Sequence, residues 1–439
     1  MMLRFLLVVL ALVAFPARAE VAIQDVTSKA GLKAWLVEEH SLPFVALEIS
    51  FRGGTSLDRP GKRGSVELMT SLLEEGAGDL DARGFAEAAE ALAASFMFRA
   101  GRDGVDVSAQ FLTENREEAM ALLRSALTEP RFEADAIERV RDQLLSNLRS
   151  RATDPADILS ETWDVTTYGD HPYGSYDGGT VESVEGLTRE DLLTAYRDTL
   201  ALDRVYIAAV GDITAEELAE LMDGLLEGLS AEGAPFPERA DVSWNGAQTV
   251  IPFDTPQSIA RFGHGGIDRE DPDFFAAYLI SQIMGGLGSD SRLMQEVREK
   301  RGLTYGIGAY LFDREYANGF AGQFSSQNAS MAEAVEVVRQ EWADMAQNGI
   351  SAEELSAAKT YLTGSYPLRF DGNSNIADLL VGMQIEGLPI DYISTRNDKV
   401  EAVTLEQANR VAGEIFRPDE LTFMIIGKPD GLADQPASN

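Results

Sequence analysis

Strict alternation in FVALEISF (44–51) puts Val45, Leu47, Ile49 and Phe51 on one face, which predicts a half-buried strand. GVDVSAQF (104–111) alternates in the same way, and VYIAAVGD (205–212) reads as an interior strand ending at a turn. Apolar spacing near 3.6 predicts helices over about 115–128, 133–151, 189–199, 214–228, 273–284, 330–346 and 352–363. Paired strands separated by helical runs predict an α+β fold: two domains, each a mainly antiparallel sheet covered on one face by helices. A doubly wound parallel sheet is disfavoured, because no strand feeds a glycine-rich phosphate loop.

The chain also echoes itself. AQFLTENREEAMALL (109–123) returns as GQFSSQNASMAEAVEVV (322–338), aligning Gln110 with Gln323 and Asn115 with Asn328 at an offset of 213. LTREDLLTAYRDTLALDRVYIAAVGD (187–212) returns at 403–430, aligning Thr188 with Thr404 and Gly211 with Gly427 at an offset of 216. Two echoes at nearly one offset indicate a duplicated domain. The boundary falls in LSAEGAPFPERADVSWNGA (229–247), giving an N-terminal domain over 20–235, a linker over 236–246 and a C-terminal domain over 247–439.

Residues 1–19, MMLRFLLVVLALVAFPARA, have the early charge, apolar run and small-residue end of a cleaved secretory signal. No later segment approaches eighteen consecutive apolar residues, so no membrane span is expected after cleavage. The chain has 37 basic and 72 acidic residues, a net charge of −35, which becomes −37 once Arg4 and Arg18 leave with the signal. That balance argues against nucleic-acid binding, since phosphate contact needs a basic face. With no cysteine there is neither a disulfide nor a thiolate metal site, and any metal ligand must be His, Asp or Glu.

Candidate chemistry is sparse. His40, His171 and His264 each stand alone, without a second histidine at i+3 or i+4, and no G-x-S-x-G elbow is present. In GSVELMTSLLEEG (64–76), Glu67, Thr70 and Ser71 share one helical face. In MGGLGSDSRLMQEVREKRGLTYGIGAYL (284–311), Gly285, Gly286 and Gly288 permit close backbone approach to a ligand or simply mark a loop. Ser291 is placed to cap the helix that follows, Gly302 to end it, and Tyr305 to open the next strand. Arg298 and Tyr305 then meet where helix turns to strand, either as ordinary surface residues or as a functional pair.

LGSDSRLMQEVREKRGLTYGI is similar to a segment shared by the pitrilysin, insulin-degrading and mitochondrial-processing zinc peptidases. The resemblance extends to the duplication, to RGGTSLDRPGKRG and to AIERVRDQLLSNLRS, and so spans nearly the whole mature chain. The family carries an inverted zinc motif, H-x-x-E-H, after that Pro/Gly turn. Here Glu67 and Ser71 fall on its histidines, Thr70 on its glutamate and Asn147 on its distal glutamate ligand, so all four positions depart from the pattern.

The resemblance therefore implies a chain that binds no metal. Arg298 and Tyr305 match the family's substrate-clamping arginine and tyrosine, which implies donors to peptide carbonyls and to a developing oxyanion. Gly285, Gly286 and Gly288 fall where non-catalytic processing subunits carry a longer glycine-rich loop, implying a substrate-binding position. The expectation is a periplasmic pseudo-peptidase subunit that pairs with a zinc-bearing homologue, binds extended peptides and supplies Arg298 and Tyr305 in trans. Two alternatives are a stand-alone peptide-binding scaffold and an autonomous peptidase with unusual ligands.

Overall fold

The computed structural model describes residues 22–433, so the signal expected over 1–19 lies outside the described residues. Its strands are β1 (Gln24–Thr27), β2 (Lys33–Glu38), β3 (Phe44–Arg52), β4 (Gly76–Ala77), β5 (Leu80–Asp81), β6 (Ser95–Ala100), β7 (Gly104–Leu112) and β8 (Val205–Gly211). The second half adds β9 (Gln248–Pro252), β10 (Gln257–His264), β11 (Ile307–Arg314), β12 (Ala317–Gln327) and β13 (Thr422–Gly427).

The first large sheet has the order β1-β2-β8-β3-β7-β6 and the second the order β11-β12-β10-β13-β9. Read from β9, the second repeats the series β2-β8-β3-β7-β6 of the first. Each contains one parallel pair, β2 with β8 and β9 with β13, and is otherwise antiparallel. Gly211 and Gly427 end the equivalent strands β8 and β13 with φ of 139° and 142°. A Cβ on Gly211 would lie 2.3 Å from the Phe44 carbonyl oxygen, and one on Gly427 would lie 2.2 Å from the Ser258 hydroxyl. Close packing at a strand end is thus why this glycine recurs. Thr188 and Thr404 recur as helix N-caps, accepting from the N–H groups of Asp191 and Gln407.

Val45, Leu47, Ile49 and Phe51 of β3 lie in the first core, with Leu68, Leu123, Leu148, Leu192 and Leu218 from the helices above. The second core is built the same way around Phe262, Phe320 and Trp342. The opposite face of each sheet is also covered, by a helix from the other half. Helix Asn373–Ile385 lays Ala377, Leu380, Val381 and Met383 against Ala46, Ala208 and Val210. Helix Pro155–Tyr168 lays Leu159 and Trp163 against Met424 and Ile426.

The junction is polar at its rim. The turn between β11 and β12 enters the first half, where Arg52 pairs with Glu315 and the Tyr316 N–H donates to the Tyr173 hydroxyl at 3.3 Å. Tyr173 donates in turn to Asp103 at 2.5 Å. The segment between the halves is pinned here: Phe236 lies between the Arg52 and Arg204 guanidiniums at 4.7 and 4.6 Å, and the Ala240 N–H donates to the Tyr316 carbonyl at 2.9 Å. Among the described residues no helix is long and apolar enough to cross a membrane.

Two outcomes follow from the crossed helices. Leu380 is fully buried, so Leu380→Ala should cost about 3 kcal/mol in denaturant unfolding; a loss under about 1 kcal/mol would mean the crossing helix is not part of the cooperative unit. Glu48 lies on the covered face and accepts from Ser108 at 2.6 Å, and burial pushes its carboxyl up to about 7 from an ordinary 4.5. The folded chain then holds a proton there that the unfolded chain has lost, so this group's contribution falls as pH rises from about 4.5 through about 7. Glu48→Gln should therefore stabilise the protein at pH 8 and leave it unchanged near pH 5 in paired unfolding curves. Equal effects at both pH values would contradict this assignment.

Candidate functional site

The helix Ser65–Ser71, which carries the degenerate motif, is fixed from behind by the turn before it. Gly54 has φ of 48°, and a Cβ there would lie 2.1 Å from the Gly101 carbonyl oxygen. The buried Asp58 carboxylate accepts from the N–H groups of Gly64 and Val66 at 2.8 and 2.9 Å and from the Ser65 hydroxyl at 2.6 Å. The Arg63 guanidinium stands 3.6 Å away. A carboxylate on orphan N–H groups at a helix start serves as its cap, so the RGGTSLDRPGKRG stretch fixes where this helix begins.

The four motif positions have unlike surroundings. Glu67 is half-buried with no hydrogen-bond or ion-pair partner among the described residues, and burial first, then Asp177 and Asp58, pushes its carboxyl above the usual range. Thr70 is buried, and its hydroxyl lacks a partner among the described residues. It faces packing, whereas Glu67 and Ser71 on the same helix are half-buried. Ser71 is half-buried, and Asn147 is exposed on the neighbouring helix Ala134–Arg151. One half-buried carboxyl, two hydroxyls and an amide do not make a zinc donor set, which needs three or four good ligands. Among the described residues no three His, Asp or Glu side chains gather in a way that could hold a metal ion.

Arg298 and Tyr305 do meet. Arg298 lies in a π-helical turn, Met294–Glu299, with its guanidinium 5.3 Å from the Tyr305 ring centroid and 3.5 Å from Glu299. Tyr305 is 90% exposed. It sits in a bend rather than opening the strand as expected, because β11 starts only at Ile307. The bend is tied down on both sides: Ser326 donates to the Leu303 carbonyl at 2.6 Å, and the Thr304 hydroxyl lies 2.7 Å from the Ser325 carbonyl and 2.9 Å from that of Gly306. Gly302, at φ of 64°, ends the preceding helix, and the Ser291 hydroxyl accepts from Met294 at a long 3.4 Å.

The three glycines divide by role. Gly285 and Gly286 belong to a second π-helical turn, Gln282–Gly286, which packs so closely on β11 that a Cβ at Gly285 would lie 2.3 Å from the Ala309 nitrogen. Gly288 is exposed with φ of 58° and open space around its Cα. Among the described residues no hydrogen bond, ion pair or ring contact joins Arg298 or Tyr305 to Glu67, Thr70, Ser71 or Asn147. The structure pairs the first two, while Glu67, Thr70 and Ser71 share helix Ser65–Ser71 and Asn147 lies on helix Ala134–Arg151.

The histidines are engaged locally or in packing. His40 lies 2.7 Å from Asp212 and 3.1 Å from Glu38, and both hydrogen bonds raise its pKa. His264 is buried and accepts from the Trp342 indole at 2.7 Å, and burial presses its pKa down to about 4. What sequence reasoning missed is the support of the pair: Thr304, Ser326 and both π-helical turns. Their only sequence signal is a threonine and a serine 22 positions apart, which no local spacing connects.

Comparison with known proteins agrees with this fold. The family model described as Insulinase (Peptidase family M16) matches residues 34–177, and that of the Peptidase M16 inactive domain matches 186–362. The Helicobacter pylori non-peptidase homolog YmxG is 25% identical over 97% of this chain and 98% of its own length. A Mycobacterium leprae protein named as an uncharacterized zinc protease is 25% identical over 80% of each chain. The crystal structure of a peptidase M16 inactive domain from Pseudomonas fluorescens superposes with a TM-score of 0.87 at 28% identity, covering 95% of this chain and all of that one. The chain belongs to the insulinase (M16) peptidase family.

Because burial raises the Glu67 pKa, its ionised form is disfavoured in the folded state, and its contribution to stability falls as pH rises through the raised value. Glu67→Gln should therefore raise the unfolding midpoint at pH 7.5, and zinc should leave the midpoint of either protein unmoved in a thermal-shift titration. A zinc-dependent rise that Glu67→Gln abolishes would instead make Glu67 a ligand.

Proposed function

We propose that this chain is the non-catalytic subunit of a two-subunit periplasmic M16 peptidase. It binds extended peptide and supplies Arg298 and Tyr305 to a homologous subunit that carries the zinc motif. Support comes from the loss of all four motif positions, from the likeness to a non-peptidase homolog and to an M16 inactive domain, and from the secretory pattern at 1–19. The observation that carries the reading is Tyr305: a phenol 90% exposed on a bend held by buried hydroxyls, with a guanidinium against its ring. Packing within this chain does not require a tyrosine there.

The chemistry follows from the two groups. The guanidinium offers fixed N–H donors to peptide carbonyls and orients an extended backbone. The phenol donates a hydrogen bond to a carbonyl oxygen as it gains negative charge, an interaction strongest in the transition state. Neither group activates water, so cleavage requires the partner.

In a complex reconstituted with a zinc-motif-bearing homologue, Tyr305→Phe should lower kcat by roughly ten- to a thousandfold. Arg298→Ala should lower kcat/KM with a rise in KM. Unchanged cleavage of a quenched-peptide library by both variants, with the complex intact on gel filtration, would remove the proposed role.

A further inference from the structure

The bend that presents Tyr305 is built from side chains where a sheet would ordinarily use its own backbone. The ladder between β11 and β12 ends at the pair Ile307 and Phe324. Beyond it, residues 303–306 leave the ladder, and two hydroxyls take over the hydrogen bonding. The Gly306 N–H donates to Thr304 Oγ1 at 3.2 Å, closing a side-chain turn around Tyr305. The Thr304 hydroxyl proton is shared between the carbonyls of Ser325 at 2.7 Å and Gly306 at 2.9 Å. Ser326, itself buried, donates to the Leu303 carbonyl at 2.6 Å. On the other side, the Leu303 N–H reaches the Val297 carbonyl at 3.0 Å and the Gly302 N–H reaches the Arg298 carbonyl at 2.8 Å. These bonds tie the bend to the turn that carries Arg298.

We infer that Thr304 and Ser326 are positioning residues for the Arg298–Tyr305 pair. Their hydroxyls hold the bend off the sheet so that the phenol and the guanidinium share one fixed orientation toward a bound peptide. The inference rests on the reading of Tyr305 given above. The geometry leaves Thr304 itself no access to substrate, since it is buried beneath the bend. Valine matches the shape of threonine but can neither accept from Gly306 nor donate to Ser325, so it releases the turn while keeping the packing. Serine keeps the hydroxyl. The π-helical turn Met294–Glu299, in which the Lys300 N–H donates to the Gln295 carbonyl at 3.0 Å, sets the direction of Arg298.

The test uses the mature chain with 3-fluorotyrosine at position 305, read by fluorine NMR. Thr304→Val and Ser326→Ala should move the resonance toward that of the free amino acid and narrow it, while Thr304→Ser should leave it in place and the unfolding midpoint should stay close to that of the wild type. An unmoved resonance in Thr304→Val would overturn the inference. In the complex with a zinc-bearing homologue, Thr304→Val should lower kcat roughly ten- to a hundredfold, with KM little changed and Thr304→Ser restoring it. If Tyr305→Phe costs activity and Thr304→Val does not, the positioning role fails while the proposed function stands. If Tyr305→Phe costs nothing, the proposed function fails, whatever the resonance shows.

Discussion

The exchange of one helix between the halves is the constraint on which the rest of this molecule depends. A sheet packed on one side by its own helices still has a second face. Here Ala46, Ala208 and Val210 on one sheet, and Met424 and Ile426 on the other, make that face apolar at its centre. Neither half covers this surface alone. Separation would wet both sheets and leave Leu380 and Trp163 without their packing, so the two halves act as one body. The pinned segment around Phe236 and the inserted β11–β12 turn reinforce a junction already set by hydrophobic burial.

With both faces of each sheet occupied, functional groups are left to strand ends and turns. The two candidate regions show what such a position costs. At the start of helix Ser65–Ser71, a capped and tightly packed turn holds the backbone in place, but the side chains it carries at the motif positions are a half-buried carboxyl and hydroxyls. At the start of β11 the arrangement is reversed: the supporting hydroxyls are buried and bonded, Tyr305 is open to solvent and Arg298 lies half-buried against its ring.

Much of this was legible in the sequence, and what was not has physical causes. The strands over 44–51 and 104–111 declared themselves by alternation, and Gly211 and Gly427 recur because both strand ends lack room for a Cβ. The helices Pro155–Tyr168 and Asn373–Ile385 gave no clean periodic signal. A helix caught between two halves touches protein on more than one side, and so lacks the single apolar stripe that marks a surface helix. The meeting of Arg298 and Tyr305 was readable from the helix end at Gly302 and the strand after it, but their expected role came only through the family resemblance, since an arginine and a tyrosine seven residues apart carry no functional pattern of their own. The burial of Thr70 and the hydroxyl support under Tyr305 depend on tertiary packing that local spacing cannot express.

The central claim is that this chain presents a substrate clamp without a working metal centre. Its most direct test is cleavage of a mixed quenched-peptide library by the purified mature chain alone in the presence of zinc, with metal content read on the same sample. The account predicts no cleavage and no stoichiometric metal. Cleavage accompanied by one bound zinc per chain would contradict it and make this an autonomous peptidase.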